Sequence, residues 1–142
     1  MNADERRLNT ISQTIIGCAF TVANTLGSGF LEKVYENALA LELRRAGLEV
    51  EQQKGMNVHY EGIVVGEYLA DLLVCGSVIV ELKAVSALND VHLAQCLNYL
   101  KASNLRLGLL LNFGESKVKV KRVVNESYLR SSAFICGSKS DA

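Results

Sequence analysis

The sequence predicts an α+β (α/β) fold in which helices flank a mixed central β-sheet. Three observations predict it. Two stretches with apolar residues at three- and four-residue steps open the chain, a glycine-punctuated stretch rich in β-branched residues follows, and a further helical stretch separates that region from two more strand-like runs. At 142 residues, 49% hydrophobic and 21% charged, the chain is expected to bury a core of its own without disulfides or structural metal. One domain is expected over residues 1–125, with 126–142 a C-terminal extension that carries little pattern after Ile135 and frays at its end.

The elements follow in order. Leu8, Ile11, Ile15, Cys18, Val22 and Leu26 mark an amphipathic helix over residues 5–25, ended by Gly27. "LGSG" supplies a loop, with Ser28 expected to cap a second helix over 30–46 that Gly47 closes. From Gly47 the texture changes to alternation broken by Gly55, Gly62, Gly66 and Gly76, which predicts strands at 49–60, 63–74 and 77–84 with hairpins at Glu61-Gly62 and around Gly76. Leu93, Leu97 and Leu100 form the core stripe of a third helix over 90–103, for which Asn89 or Asp90 is the cap. "LRLGLLLNF" suits a buried strand and "KVKVKRVV" an outer one. The strand-helix-strand passage over 77–112 permits a right-handed parallel crossover.

No apolar run approaches the ~20 residues that cross a bilayer, and "MNADERRLNT" lacks the apolar core of a signal peptide, so no membrane partner and a cytoplasmic location are expected. Cys18, Cys75, Cys96 and Cys136 form no CxxC pair, and with two histidines neither a zinc site nor a disulfide framework is suggested; small buried side chains are the expectation. Zero formal net charge counts against a non-specific nucleic-acid coat protein. Lys117, Lys119 and Lys121 alternate with Val118 and Val120, so the lysines either protect a sheet edge or contact phosphate.

The chemistry concentrates in "YLADLLVCGSVIVELKA", which is among the most apolar parts of the chain and yet contains Asp71, Glu81 and Lys83. Charges buried in a core cost several kcal/mol unless paired, ligated or wet. Strand alternation points Glu81 and Lys83 to one face and Val80 and Leu82 to the other. A three-residue loop of Cys75, Gly76 and Ser77 would set Asp71 across from Glu81, whereas a two-residue turn would set it across from Leu82. Opposed carboxylates repel unless a cation lies between them, and a hard-oxygen site of that kind suits Mg²⁺ or Mn²⁺. Beside such an ion Lys83 can orient the attacking water or steady charge on a phosphate; the alternative is a plain salt bridge at the sheet end. Glu32 and Tyr35 stand three residues apart on the second helix, where Glu32 taken alone reads as a surface residue. His92, Gln95 and Tyr99 form a polar stripe on the third helix, readable also as a solvated face, and His92 is not needed as a ligand.

Gly29, Glu32 and Tyr35, then Asp71, then Glu81-Leu82-Lys83, then Gln95 with Tyr99, and the closing "LLLNFG" together resemble the GxxExxY family of small proteins, assigned to the PD-(D/E)XK nuclease-like superfamily, over about residues 10–125. The chain departs from the family pattern at Ala23, Ser28 and Leu69. The resemblance implies a restriction-endonuclease-like core and a metal-dependent phosphodiesterase. Asp71 and Glu81 would be metal ligands, Glu32 would help the metal site, Lys83 would stand at the nucleophile, Gln95 and Tyr99 would buttress the site, and Gly29 and Tyr35 would support the motif. The expected partner is nucleic acid, DNA in preference to RNA. Two other classes fit the same residues: a binding module that keeps the fold without cutting, and a structural homodimer joined through the apolar first helix.

Overall fold

A computed structural model describes residues 2–128. Three helices and five strands run in the order α1 (Ala3–Leu26), α2 (Glu32–Arg45), β1 (Val50–Tyr60), β2 (Ile63–Val74), β3 (Val78–Lys83), α3 (Asp90–Ser103), β4 (Leu107–Asn112) and β5 (Lys119–Val124). The strands make one sheet in chain order, antiparallel except where β3 and β4 pair in parallel across the α3 crossover. The mixed sheet with flanking helices is therefore the fold class that the spacing predicts. The expectations for Cys136 and for the chain beyond residue 128 lie outside the described residues.

Period-2 alternation divides the core into two layers. Val78, Val80 and Leu82 of β3, with Leu107, Leu109 and Leu111 of β4, pack under α1 and α2, whose contribution includes Ile15, Ala19, Leu39 and Leu43. Ile79 faces the other side with Cys96 and Leu100 of α3. A Cβ on Gly108 would stand 2.9 Å from Cys96 Sγ, so the glycine lets α3 lie close against β4.

Helix ends differ in how they are made. Asn2 caps α1, its Oδ1 accepting from Glu5 N at 2.8 Å. Asn89 caps α3 in a reciprocal box with His92, whose Nδ1 accepts from Asn89 N. Gly47 follows α2 at φ 87 with the two backbone bonds of a Schellman closure, Gly47 N to Arg44 O and Leu48 N to Leu43 O. The expected cap at Ser28 is not made: α2 starts three residues later, from extended Leu31, without a side-chain cap bond. Tyr35 holds that entry instead. Its hydroxyl donates to Gly27 O at 2.7 Å and accepts from Phe30 N at 3.2 Å, while its ring stacks on Phe113.

The β1–β2 hairpin turns at Glu61-Gly62, both left-handed as a type I′ turn requires. Neighbouring Ile63, Val64 and Val65 are all exposed, so the end of this hairpin is uncovered on both faces. The β2–β3 connection is the three-residue loop, with Val74 opposite Val78. At the other edge, Lys119 and Lys121 are exposed on β5, Val118 is buried, and Lys117 precedes the strand. The apolar stripe of α1 packs inside the chain, which leaves Phe20 as its large exposed apolar residue.

Candidate active site

The three-residue loop decides the central geometry. One step beyond the Leu72–Val80 pair, Asp71 stands across from Glu81, and its Oδ2 accepts from Leu82 N at 2.8 Å. A cavity of about 190 Å³ opens there, lined by Asp71, Glu81, Lys83, Glu32, Gln95 and Tyr99, with Leu69, His92, Cys96 and Leu110 completing its wall. Sites from both strands, the start of α2 and one face of α3 thus meet. The polar stripe of α3 faces this cavity, and His92 joins its wall while serving as half of the helix cap.

Glu81 is 7% exposed, and its Oε1 is buried without a hydrogen-bond partner. Burial first, then the repulsion of Asp71 and a proton shared with it, pushes the Glu81 carboxyl up to about 9, against the opposing pull of Lys83. The surroundings respond in the same sense. Burial, with the Glu81 charge contributing, raises Tyr99 and pushes Cys96 and Tyr68 up to about 12. A carboxyl that holds a proton against burial and the neighbouring carboxylate is one that a cation could take over in place of that proton. The orphaned oxygen and the two-carboxylate donor set fit a hard divalent ion.

The expected trio of carboxylates is not a closed cage. Among the described residues no three His, Cys, Asp or Glu side chains converge as a ready-made cluster. Glu32 is the first residue of α2, exposed at the cavity rim, and its Oε1 accepts from Ala84 N at a long 3.4 Å.

Several supports escaped the sequence reading. Gln53 Nε2 donates to Asp71 Oδ1 at 3.3 Å and to Glu36 Oε1 at 2.7 Å. Glu36, 3% exposed, also accepts from Lys33 and Gln52. Its signal was available: Glu36 shares the i, i+3, i+7 stripe with Leu39 and Leu43, so it is a carboxylate on a core-facing row. Asn112, fully buried, bonds both backbone groups of Val85 and so pins the chain just past Lys83, which also accepts at its carbonyl from Phe113 N. Tyr68 stacks on Tyr99 with centroids 3.9 Å apart and donates to Tyr99 O, fixing the α3 wall.

A family model described as the PD-(D/E)XK nuclease superfamily matches residues 9–123. The chain belongs to that superfamily. Its members generally use divalent metal ions. Among solved structures, an alkaline exonuclease from Laribacter hongkongensis superposes with a TM-score of 0.52 at 12% identity, over 99% of this chain and 84% of the other. That likeness shows a shared fold. The protein SSO0001 matches at a TM-score of 0.49 and 14% identity over 72% of this chain, which spans 56% of the length of that protein. Among curated proteins none matches the chain.

Proposed function

We propose that this PD-(D/E)XK superfamily chain is a Mg²⁺- or Mn²⁺-dependent nuclease that hydrolyses phosphodiesters of nucleic acid, DNA in preference to RNA. The observation that carries the reading is the unpartnered, buried Glu81 Oε1 opposite Asp71. An isolated buried carboxylate oxygen is costly, and a hard cation shared with Asp71 removes the cost. When bound, such an ion supplies charge neutralisation at the phosphate and a more acidic attacking water.

The remaining work falls to the chain's own groups. Leu82 N holds one Asp71 oxygen, which keeps that carboxylate aimed at Glu81. Lys83 brings an ammonium to the same cavity, where it orients the nucleophilic water and offsets charge developing on the phosphate. Glu32 at the rim contributes through water or by a change of rotamer, and Gln95 and Tyr99 close the α3 side. Gly29, at φ 108, and Tyr35 shape the loop that delivers Glu32, which supports the narrower GxxExxY assignment. Free Cys18, Cys75 and Cys96 fit the reducing cytoplasm.

The test is cleavage of single- and double-stranded DNA and of RNA with and without Mn²⁺ or Mg²⁺. Cutting that needs the ion and is reduced at least about 10³-fold by Asp71→Ala and by Lys83→Ala is the expected result. Zero net charge favours one second reading, a fold that binds nucleic acid or protein without cutting. Ion binding with no cleavage of any of these substrates would favour that reading.

A further inference from the structure

Gln53 has a backbone conformation that a strand residue does not need. β1 pairs Gln52 with Leu72 and Lys54 with Ala70, and Gln53 between them sits at φ 51, a left-handed value that a residue other than Gly, Asn or Asp seldom adopts. In a regular strand Gln52 and Gln53 would point to opposite faces. The left-handed kink cancels that alternation, so both amides reach the one carboxylate of Glu36, Gln52 Nε2 at 2.8 Å and Gln53 Nε2 at 2.7 Å.

The second proton of Gln53 Nε2 goes to Asp71 Oδ1 at 3.3 Å. Both neighbours of this amide are carboxylates, which only accept, so its nitrogen must be the end that faces them. Glu36 is itself held by Lys33 Nζ at 3.1 Å, and its burial leaves it little freedom to move. With Leu82 N on Asp71 Oδ2, each oxygen of Asp71 has one N–H donor and keeps a lone pair for a ligand. A carboxylate gripped at both oxygens has one rotamer and one orientation.

We propose that Gln53 is a positioning residue for Asp71, locked by buried Glu36, so that the left-handed kink in β1 sets the aim of a metal-ligating carboxylate on β2. The inference rests on the reading of Asp71 and Glu81 as ligands of a divalent ion. It adds an orienting path from α2 through β1 to the site. A purely structural role for the same residues would confine Gln53 and Gln52 to satisfying Glu36, with no consequence for ion affinity.

The experiment titrates Mn²⁺ into wild type, Gln53→Gly, Gln53→Asn and Asp71→Ala, reading free ion by electron paramagnetic resonance and the melting temperature of each metal-free protein. Gln53→Gly suits the kink, which offsets the hydrogen bond lost at Glu36, where Lys33 and Gln52 still donate, so its metal-free melting temperature should stay within a few degrees of wild type while Mn²⁺ affinity falls about 10-fold. Gln53→Asn also tolerates the left-handed backbone but is one methylene too short to bridge both carboxylates, and the same loss is expected. Mn²⁺ affinity within twofold of wild type in either folded variant, beside a clear loss in Asp71→Ala, overturns the positioning role and leaves the metal site standing. Wild type that binds no Mn²⁺ overturns both the metal reading and this inference.

Discussion

Glu81 is the residue on which the local electrostatics turn. Its carboxyl, pushed up to about 9 by burial and by Asp71, binds a proton in the metal-free folded state that the unfolded chain releases near its ordinary value of 4.5. Between those values the folded state holds more protons than the unfolded one, so stability contributed by this group is fully present below the lower value and is lost as pH rises toward the upper. Chemical denaturation of the metal-free protein at pH 5, 7 and 9 should therefore show declining stability, and Glu81→Gln should flatten that decline. An equally steep decline in the variant would refute the assignment. Ion binding must displace the same proton, so Mn²⁺ affinity measured by calorimetry should rise with pH over this range. Alternation had already set Glu81 and Lys83 on one face. The hydrogen bond from Leu82 N to Asp71 was not legible, because it depends on how a side chain reaches across a strand pair.

At the scale of elements, periodicity located α1 to α3 and β1 to β5, since each hides an apolar face whose spacing betrays its type. Connections were less legible. The start of α2 is governed by Tyr35, five residues from the nearest backbone group it holds, where local capping rules pointed to Ser28. Tyr35→Phe should keep the ring stack on Phe113 yet lose both hydroxyl bonds, costing about 1 kcal/mol in urea denaturation. Gly114 marks a tighter connection. A Cβ there would collide with the backbone O and N of Val85, and backbone cannot step aside as a flexible side chain can. Gly114→Ala should cost about 3 kcal/mol and displace the segment that follows Lys83, seen as a lowered melting temperature and reduced ion-dependent cleavage. The kink at Gln53 lies at the same scale. A strand-period reading assigns its two neighbours correctly but does not show that its amide also reaches Glu36 on α2.

Over the whole molecule, the sheet in chain order brings β2, β3 and the face of α3 together, with α1 and α2 sealing the opposite layer and only the start of α2 reaching round to the cavity. Charge is balanced across the chain as a whole, and Lys119 and Lys121 stand on the outer strand β5. A nucleic acid held mainly at the cavity should then show a shallow dependence of affinity on salt, a log–log slope of about −2 to −3. A slope near −6 would mean that the β5 lysines also grip phosphate. The sequence by itself determined the elements and the two faces of β3, because alternation and helical period are properties of the chain at short range. Only the tertiary structure decided that Asp71 lies across from Glu81, that Glu81 Oε1 lacks a partner, that Glu32 stays at the rim, and that Gln53 joins Glu36 to Asp71. Those facts depend on which residues distant in sequence share a small volume, and no local period encodes that.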